Sequence, residues 1–420
     1  MAKATDSFEQ LGDAVRSGNV AEVRAILAGH PELKMKLDDA IPGGSFGSVA
    51  IQSAVEQNNR EMIDALLDAG ASIQGRSHWW AGSFGVFDNA RDAEMVDFLT
   101  SRGAAMDPHD AARWGRLEIL TRLVENDPRA VHFRGGDGQT PLHVAANVEI
   151  ARFLLDHGAD IDALDVDHES TPAQYLIKDH PEVVEFLIER GCRTDIMMVT
   201  ALGDLARIDA MLNRNPDAIR TTVTDEYFPM KNPKAGGTIY NWTLDRYATL
   251  LQVARISSKR IPPARSRDVI ELLNARAPDD LKLVDACERG DAALARKLIL
   301  ADPDRAQKLP EALQRRIVDW AQGSHTTVVR LMLESGWPVD ARGQHQGTAL
   351  HWAAFHGNIE MVKLLLDHGA PTDLRDADFD GTPLSWARYG SENSWLAAKG
   401  DYPSTIELLE RQEGSGRIIP

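Results

Sequence analysis

Apolar residues recur along this chain with helical spacing, in pairs of short segments joined by a turn and ended by a glycine. The pattern is clearest in TPLHVAANVEIARFLLDHGA (140–159), TPAQYLIKDHPEVVEFLIERGC (171–192) and TALHWAAFHGNIEMVKLLLDHGA (348–370). In each copy a threonine can cap a first helix, and a second helix carries a run of large apolar residues. One such pair cannot bury its own apolar face, so neighbouring pairs must stack. The pattern predicts an all-α repeat protein.

The TPLH and TALH starts resemble the ankyrin repeat, whose period is near 33 residues. Further copies end in LLDAGA (66–71) and FLTSRGA (98–104), so the resemblance covers about residues 8–412. The chain is identified as a member of the ankyrin-repeat family, similar to bacterial multi-ankyrin proteins with non-consensus insertions. The resemblance implies a solenoid with a concave groove, formed by hairpin tips and first helices, where binding usually occurs.

A longer period is superimposed on the repeats. Four helix pairs lack the TPLH start and carry a turn glycine thirteen residues before a proline: Gly18/Pro31, Gly115/Pro128, Gly203/Pro216 and Gly290/Pro303. These glycines are 97, 88 and 87 residues apart. The spacing predicts blocks at about 8–104, 105–192, 193–277 and 278–412, with about twelve helix pairs in total. We expect one continuous solenoid over 1–412 and a flexible tail at 413–420.

Two segments interrupt the regular spacing of the repeats. The first, 221–245, places two runs rich in β-forming residues around a Pro/Gly loop, which predicts a long β-hairpin finger. The second, 390–404, lies between the two helices of the last repeat, where the family has only a short turn. Long insertions in compact repeat proteins are usually functional.

Composition narrows the function classes. With 46 basic and 63 acidic residues the net charge is −17, and the two signs are interleaved, so nucleic-acid and electrostatic membrane binding are disfavoured. Two cysteines build no disulfide framework and fit a reducing compartment. The first ten residues lack a signal-peptide pattern, and no apolar run is long enough to span a bilayer. We expect a cytoplasmic protein.

Aromatic residues concentrate where the groove is expected. Trp352 and Phe355 in one repeat correspond to Trp386 and Tyr389 in the next, which predicts an aromatic ladder on the groove surface, unless the 390–404 insertion covers it. Exposed aromatics of this kind are typical binding residues. The candidate ligand- or partner-binding residues are His78, Trp79, Trp80, Tyr175, Glu226, Tyr227, Tyr240, Asn241, Trp242, His345, Trp352, Phe355, His356, Trp386, Tyr389, Glu392 and Trp395.

The histidines at the fourth position of the repeat start, His143 and His351, are interpreted as structural. In ankyrin repeats this side chain usually bonds backbone between neighbouring repeats, and Gln52, Gln174 and Gln252 occupy equivalent positions. The sequence has no HExxH or CxxC spacing, so we expect no metal and no cofactor. No pair of carboxylates is fixed by spacing, so the catalytic residues, if the chain has any, are not predicted.

The sequence is consistent with two hypotheses for the function. The first is an intracellular ankyrin-repeat protein that binds a partner protein in its groove. The alternative is a small-molecule binding protein or enzyme, for a carbohydrate or another polar metabolite, with its site between the finger and the C-terminal repeats. Whether the chain is an enzyme is left open.

Overall fold

The computed structural model describes residues 7–415, which belong to two compact units. Unit 1 comprises Met1–Leu202 and Asp225–Arg246, and unit 2 comprises Gly203–Thr224 and Tyr247–Pro420. The second segment of unit 1 is nearly all of the first predicted insertion. Of the predicted tail, residues 413–415 end the last helix, and residues 416–420 lie outside the described part of the chain.

Unit 1 contains six pairs of short helices and one further helix. Two of the pairs have a 3₁₀ turn, Val86–Asp88 or Pro141–Val144, in place of the first α-helix. The α-helices are Ser7–Arg16, Val20–Gly29, Ala50–Glu56, Arg60–Asp68, Ala93–Ser101, Pro108–Arg113, Leu117–Asn126, Val148–Asp156, Pro172–Leu176, Pro181–Glu189 and Ile196–Leu202.

Unit 2 begins with one helix and continues with five pairs, and one additional short helix, Glu311–Gln314, precedes the third pair. Its α-helices are Leu205–Arg214, Leu250–Ser257, Pro263–Arg276, Asp279–Glu288, Ala292–Ala301, Glu311–Gln314, Arg316–Gln322, Thr326–Glu334, Ala349–Phe355, Ile359–Asp367, Pro383–Asn393 and Tyr402–Ser415. The all-helical repeat fold expected from the apolar pattern is confirmed.

Local sequence explains where the second helices begin and end. Asn59, Asn147 and Asn358 each accept a hydrogen bond from the backbone N–H three residues later, at 3.0 Å. At the other end Gly158 and Gly369 have φ of +90° and +81°, a conformation that costs other residues more. The glycine that ends these helix pairs in the sequence pattern is therefore a left-handed cap.

A recurring hydrogen-bond clamp joins each of several repeats to the next hairpin tip. Thr140 N donates to His143 Nδ1 at 3.0 Å, and His143 Nε2 donates to Ser170 O at 3.1 Å. His351 repeats this arrangement and donates to Gly381 O at 3.2 Å. Both imidazoles are buried. The structural role expected for these two histidines is confirmed.

Glutamine makes the same clamp elsewhere. Gln52 accepts from Val49 N at 3.0 Å and donates to Phe84 O at 2.7 Å. Gln174 and Gln252 likewise accept from the backbone N–H of their capping threonine, and each donates to a carboxylate further along the chain. A neutral side chain with one acceptor and one donor is therefore what this position requires.

The first insertion does not form the predicted β-hairpin finger. Across residues 7–415 no strand is present, and the segment's own pairing is one isolated bridge between Thr222 and Thr249. Residues Asn241–Asp245 form a single π-helical turn instead. The β-forming composition of 221–245 therefore does not decide its conformation.

The reason is that the insertion pairs with the hairpin at 165–170 rather than with itself. Lys231 N and Asn232 N donate to the Glu169 carboxylate at 2.8 and 2.7 Å. Ile239 N donates to Ser170 Oγ at 3.2 Å, and the ring of Tyr240 is fully buried. Lys231 and Asn232 belong to the loop between the two β-rich runs, so Glu169 holds that loop, and Ile239, in the second run, has its N–H satisfied by Ser170 and not by a partner strand.

Among the described residues, none of the helices combines the length and the apolar character that a membrane crossing requires.

The histidine clamps make stability depend on pH. Burial lowers the pKa of His143 to about 3 and that of His351 to about 4, from a usual value of 6.5. Below pH 6.5 both histidines become protonated in the unfolded chain but stay neutral in the folded chain. The free energy of unfolding therefore decreases as the pH falls towards 4. We expect each of the two histidines to lower the free energy of unfolding by about 2 kcal/mol when the pH falls from 7 to 5.

We expect the variant His143→Gln/His351→Gln to lose markedly less stability than wild type over that interval, because glutamine makes the clamp without titrating. Urea denaturation followed by circular dichroism at both pH values measures this. His132→Gln, at an exposed histidine, is the control. Equal losses in the double variant and wild type would contradict the proposed origin of the acid sensitivity.

Candidate binding site

Unit 2 contains an aromatic cavity of about 410 Å³. Six of the predicted binding residues surround it, together with one further aromatic residue and two small residues. The lining residues are His345, Trp352, Phe355, Phe379, Gly381, Ser385, Trp386, Tyr389 and Trp395. We call this cavity the aromatic pocket.

The floor of the pocket is formed by Trp352, Phe355 and Trp386, which are 5%, 9% and 8% exposed. Trp352 and Phe355 lie three residues apart on the helix Ala349–Phe355, so they share one face. The Trp352 and Trp386 rings meet edge to face with centroids 5.1 Å apart. This is the pairing between neighbouring repeats that the sequence spacing predicts.

The two helices that carry the floor approach closely at Gly390. A Cβ at this position would collide with the backbone carbonyl of Phe355. Trp386 is fixed from its other side, because its indole Nε1 donates to Asp376 Oδ2 at 2.8 Å. The prediction that Trp386 lies on the groove surface is therefore wrong: the ring is buried and hydrogen-bonded.

The rim of the pocket is much more exposed than the floor. Tyr389, Trp395 and Phe379 are 64%, 63% and 71% exposed. Trp395 comes from the 390–404 insertion, and its ring lies 5.5 Å from that of Phe355. The insertion thus covers part of the ladder and leaves an opening bordered by aromatic side chains.

Few polar groups face this pocket. The indole Nε1 of Trp352 is buried and has no hydrogen-bond partner among the described residues. His345 Nδ1 lies 2.5 Å from Asp378 Oδ2, so that imidazole is already paired. A buried donor without a partner costs about 1–3 kcal/mol.

Two other predicted residues of this region have different surroundings. His356 is buried, and its ring nitrogens bond Ser394 Oγ at 2.8 Å and Gln322 O at 2.9 Å. Burial lowers the pKa of this imidazole, which keeps it neutral. Glu392 is exposed and is not among the residues that line the pocket.

A second group of predicted residues meets in unit 1. The rings of Trp242 and Tyr175 lie 4.7 and 6.0 Å from the imidazole of His168. His168 clusters with Asp137 and Asp167, and Trp79 Nε1 donates to Asp137 Oδ1 at 3.0 Å. Burial is the main reason why the pKa of Asp137 is raised to about 6. The first insertion therefore covers a polar cluster of unit 1.

The remaining predicted residues of unit 1 are dispersed. Tyr240 is fully buried and donates to Asp195 Oδ2 at 2.8 Å, so it anchors the insertion and is closed to any partner. His78 and Trp80 are exposed, and the ring of His78 bonds the backbone carbonyl of Asp38. The other three, Glu226, Tyr227 and Asn241, lie on the insertion, with Glu226 and Tyr227 exposed and Asn241 half-buried.

Sequence reasoning missed two clusters that offer a histidine nitrogen and two carboxylates. One is Asp137, Asp167 and His168, and the other is Asp88, His109 and Asp110. Their members come from hairpins and helix starts that are far apart in the chain, so spacing gives no signal for them. One clue existed: Asp110 occupies the clamp position that histidine or glutamine fills in the regular repeats.

The floor and the rim of the aromatic pocket should respond differently to truncation. Trp386→Ala removes a buried ring and its bond to Asp376, and we expect it to lower the free energy of unfolding by about 3–5 kcal/mol. Tyr389→Ala truncates an exposed ring and should cost less than about 1 kcal/mol. Urea denaturation of both variants tests the assignment, and similar costs would contradict it.

The family model for ankyrin repeats (three copies) matches residues 108–198 and 283–394. The palmitoyltransferase Hip14 of Drosophila melanogaster is 33% identical over 90 residues, which are 21% of this chain and 14% of that protein. The E3 ubiquitin-protein ligase KEG of Arabidopsis thaliana is 23% identical over 278 residues, 63% of this chain and 17% of that protein. The chain thus spans less than a fifth of either relative.

Among solved structures, the human ASB11 ankyrin repeat domain is 20% identical and aligns with 73% of this chain and 98% of its own, at a TM-score of 0.26. The family match covers the repeats in which the sequence signatures and the histidine clamps are most regular. The chain contains ankyrin repeats in these two segments.

Proposed function

We propose that this chain binds a partner protein and that the aromatic pocket receives an apolar side chain of that partner. Ankyrin repeats imply a capacity for protein–protein interaction. We further propose that the repeats of residues 1–412 form one continuous solenoid whose groove includes the pocket. The observation that carries the assignment is the pocket itself, with buried aromatics at its floor and exposed aromatics at its rim.

Hot spots of protein interfaces are enriched in tryptophan and tyrosine and lie where a pocket excludes water. The exposed rings of Tyr389, Trp395 and Phe379 would lose water on binding, which supplies a hydrophobic driving force. With a net charge of −17, the chain favours a partner that is basic or neutral around the inserted side chain.

A small-molecule ligand is the second candidate, because a cavity of about 410 Å³ is in the size range of metabolite sites. Carbohydrate recognition normally uses several converging polar groups beside an aromatic platform. The polar side chains that line the pocket are Ser385 and the paired His345, so an apolar side chain fits it better than a sugar. The other predicted residues that remain accessible, such as Trp80 and Trp242, would be secondary contacts.

The test is selection of binding peptides from a random library on the full chain, followed by affinity measurement by fluorescence polarisation. We expect selected peptides to share an aromatic or large aliphatic residue. Trp395→Ala should weaken binding about 30-fold, as for a hot spot of about 2 kcal/mol. Leu300→Ala, at an exposed leucine of unit 2 outside the pocket, is the matched control and should leave the affinity unchanged.

A parallel thermal-shift screen with metabolites separates the two candidates. If metabolites stabilise wild type but not Trp395→Ala, while no peptide binds, the protein-partner proposal fails and the small-molecule candidate replaces it. Peptides that bind equally well to wild type and Trp395→Ala would show that the partner site lies elsewhere.

A further inference from the structure

A buried polar cluster in unit 1 has a composition that the repeat fold does not require. Asp88 ends the 3₁₀ turn Val86–Asp88, and His109 and Asp110 lie in the first turn of the helix Pro108–Arg113. One carboxylate oxygen from each aspartate and one ring nitrogen of His109 all lie within 4.8 Å of one another. His109 and Asp110 are only 1% and 3% exposed.

Each of the three side chains is oriented by a hydrogen bond through its other polar atom. Gly85 N donates to Asp88 Oδ2 at 2.7 Å, and Asp107 N donates to Asp110 Oδ2 at 3.2 Å. His109 Nε2 lies 3.2 Å from Gln139 Oε1, which accepts its proton. The lone pair of His109 is therefore on Nδ1, which lies 3.6 Å from Asp88 Oδ1.

The remaining carboxylate oxygens are left without hydrogen bonds. Asp88 Oδ1 and Asp110 Oδ1 are both buried and accept none from the described residues. Both oxygens therefore lack a proton donor among the described residues. Buried acceptors that lack a partner are rare in folded proteins and point to a missing ion or water.

Arg113 does not resolve this deficit. Its Nε lies 3.3 Å from Asp88 Oδ1, but the two atoms do not form a hydrogen bond, and Nε has no other hydrogen-bond partner among the described residues. Its charge offsets one of the two carboxylates, and the neighbouring Asp107 is paired with Arg76 at 3.0 Å. Arg113 and Arg76 thus offset Asp88 and Asp107, and burial raises the pKa of the third carboxyl, Asp110, to about 8.

We propose that Asp88, His109 and Asp110 bind a divalent transition-metal cation of the zinc type. Two ligands at about 2.1 Å from a tetrahedral zinc lie about 3.4 Å apart, close to the observed 3.6 Å between Asp88 Oδ1 and His109 Nδ1. Mixed imidazole and carboxylate ligands suit such metals. The bonds to Gln139 and to backbone N–H groups match the outer-shell contacts that orient metal ligands.

The cluster adjoins a cavity of about 300 Å³, of which Asp88 and Arg113 are lining residues. Asn89 also lines this cavity, and its buried Oδ1 has no hydrogen-bond partner. Three protein ligands leave a fourth coordination position for water or for a ligand from this cavity. The cavity also gives the ion a path to the cluster.

The test measures binding of Zn²⁺ and Co²⁺ alone to the full chain after treatment with EDTA. We expect one equivalent of Zn²⁺ by calorimetry, a rise in melting temperature, and Co²⁺ absorption bands typical of nitrogen and oxygen ligands. Asp110→Asn and His109→Gln, each checked for folding by circular dichroism, should weaken binding by about 100-fold. His157→Gln, at an exposed histidine of the same unit, should bind as wild type.

The second cluster provides an internal comparison through His168→Gln, which should also bind as wild type. Loss of binding in that variant, with binding intact in Asp110→Asn, would overturn the assignment. If wild type takes up neither metal, the three acceptors share a proton and the proposal is wrong. Should Asp110→Asn and His109→Gln fail to fold, Asp88→Asn and the wild-type Co²⁺ spectrum still decide the question.

Discussion

The clamp between a first helix and the next hairpin tip is the interaction on which the regular repeats depend. Stacking of apolar faces is non-directional and alone would allow neighbouring pairs to slide. The bonds from His143 to Ser170 and from His351 to Gly381 fix the register, because each joins a helix start to one backbone carbonyl. Gly381 lines the aromatic pocket, so the same bond that orders the repeat also positions one wall of the site.

The clamp also explains why the unusual chemistry of unit 1 arises where it does. Asp110 accepts from its capping residue as His143 does, but its other oxygen, Oδ1, makes no hydrogen bond to the next tip or to any other described residue. Oδ1 of Asp110 remains without a hydrogen bond, as does Oδ1 of Asp88, and these two carboxylates form the cluster with His109. One substitution at a structural position therefore converts a neutral bridge into a potential ligand set, without any change in the helix that carries it.

Sequence predicted what depends on local periodicity and failed where distant groups compete. Repeat spacing alone predicts that Trp352 and Trp386 are neighbours, and their rings are in contact in the structure. The sequence left open whether the 390–404 insertion covers Trp386, and it gave no sign of the hydrogen bond from this indole to Asp376. The β-forming residues of 221–245 gave a wrong prediction because Glu169 holds the loop between the two runs from 62 and 63 residues away, and Ser170 accepts from Ile239 N from 69 residues away. The cluster around His168 had no local signal at all.

The aromatic pocket exists because two features that break the repeat pattern act together. Gly390 lacks the Cβ that would collide with the carbonyl of Phe355, so the last pair approaches its neighbour closely enough for Trp386 to reach Trp352. The insertion that follows then returns the chain over the floor and adds Trp395 at the rim. A regular repeat would supply neither the close approach nor the rim residue Trp395. The floor of the pocket would then be an open aromatic surface and not a cavity able to surround one side chain.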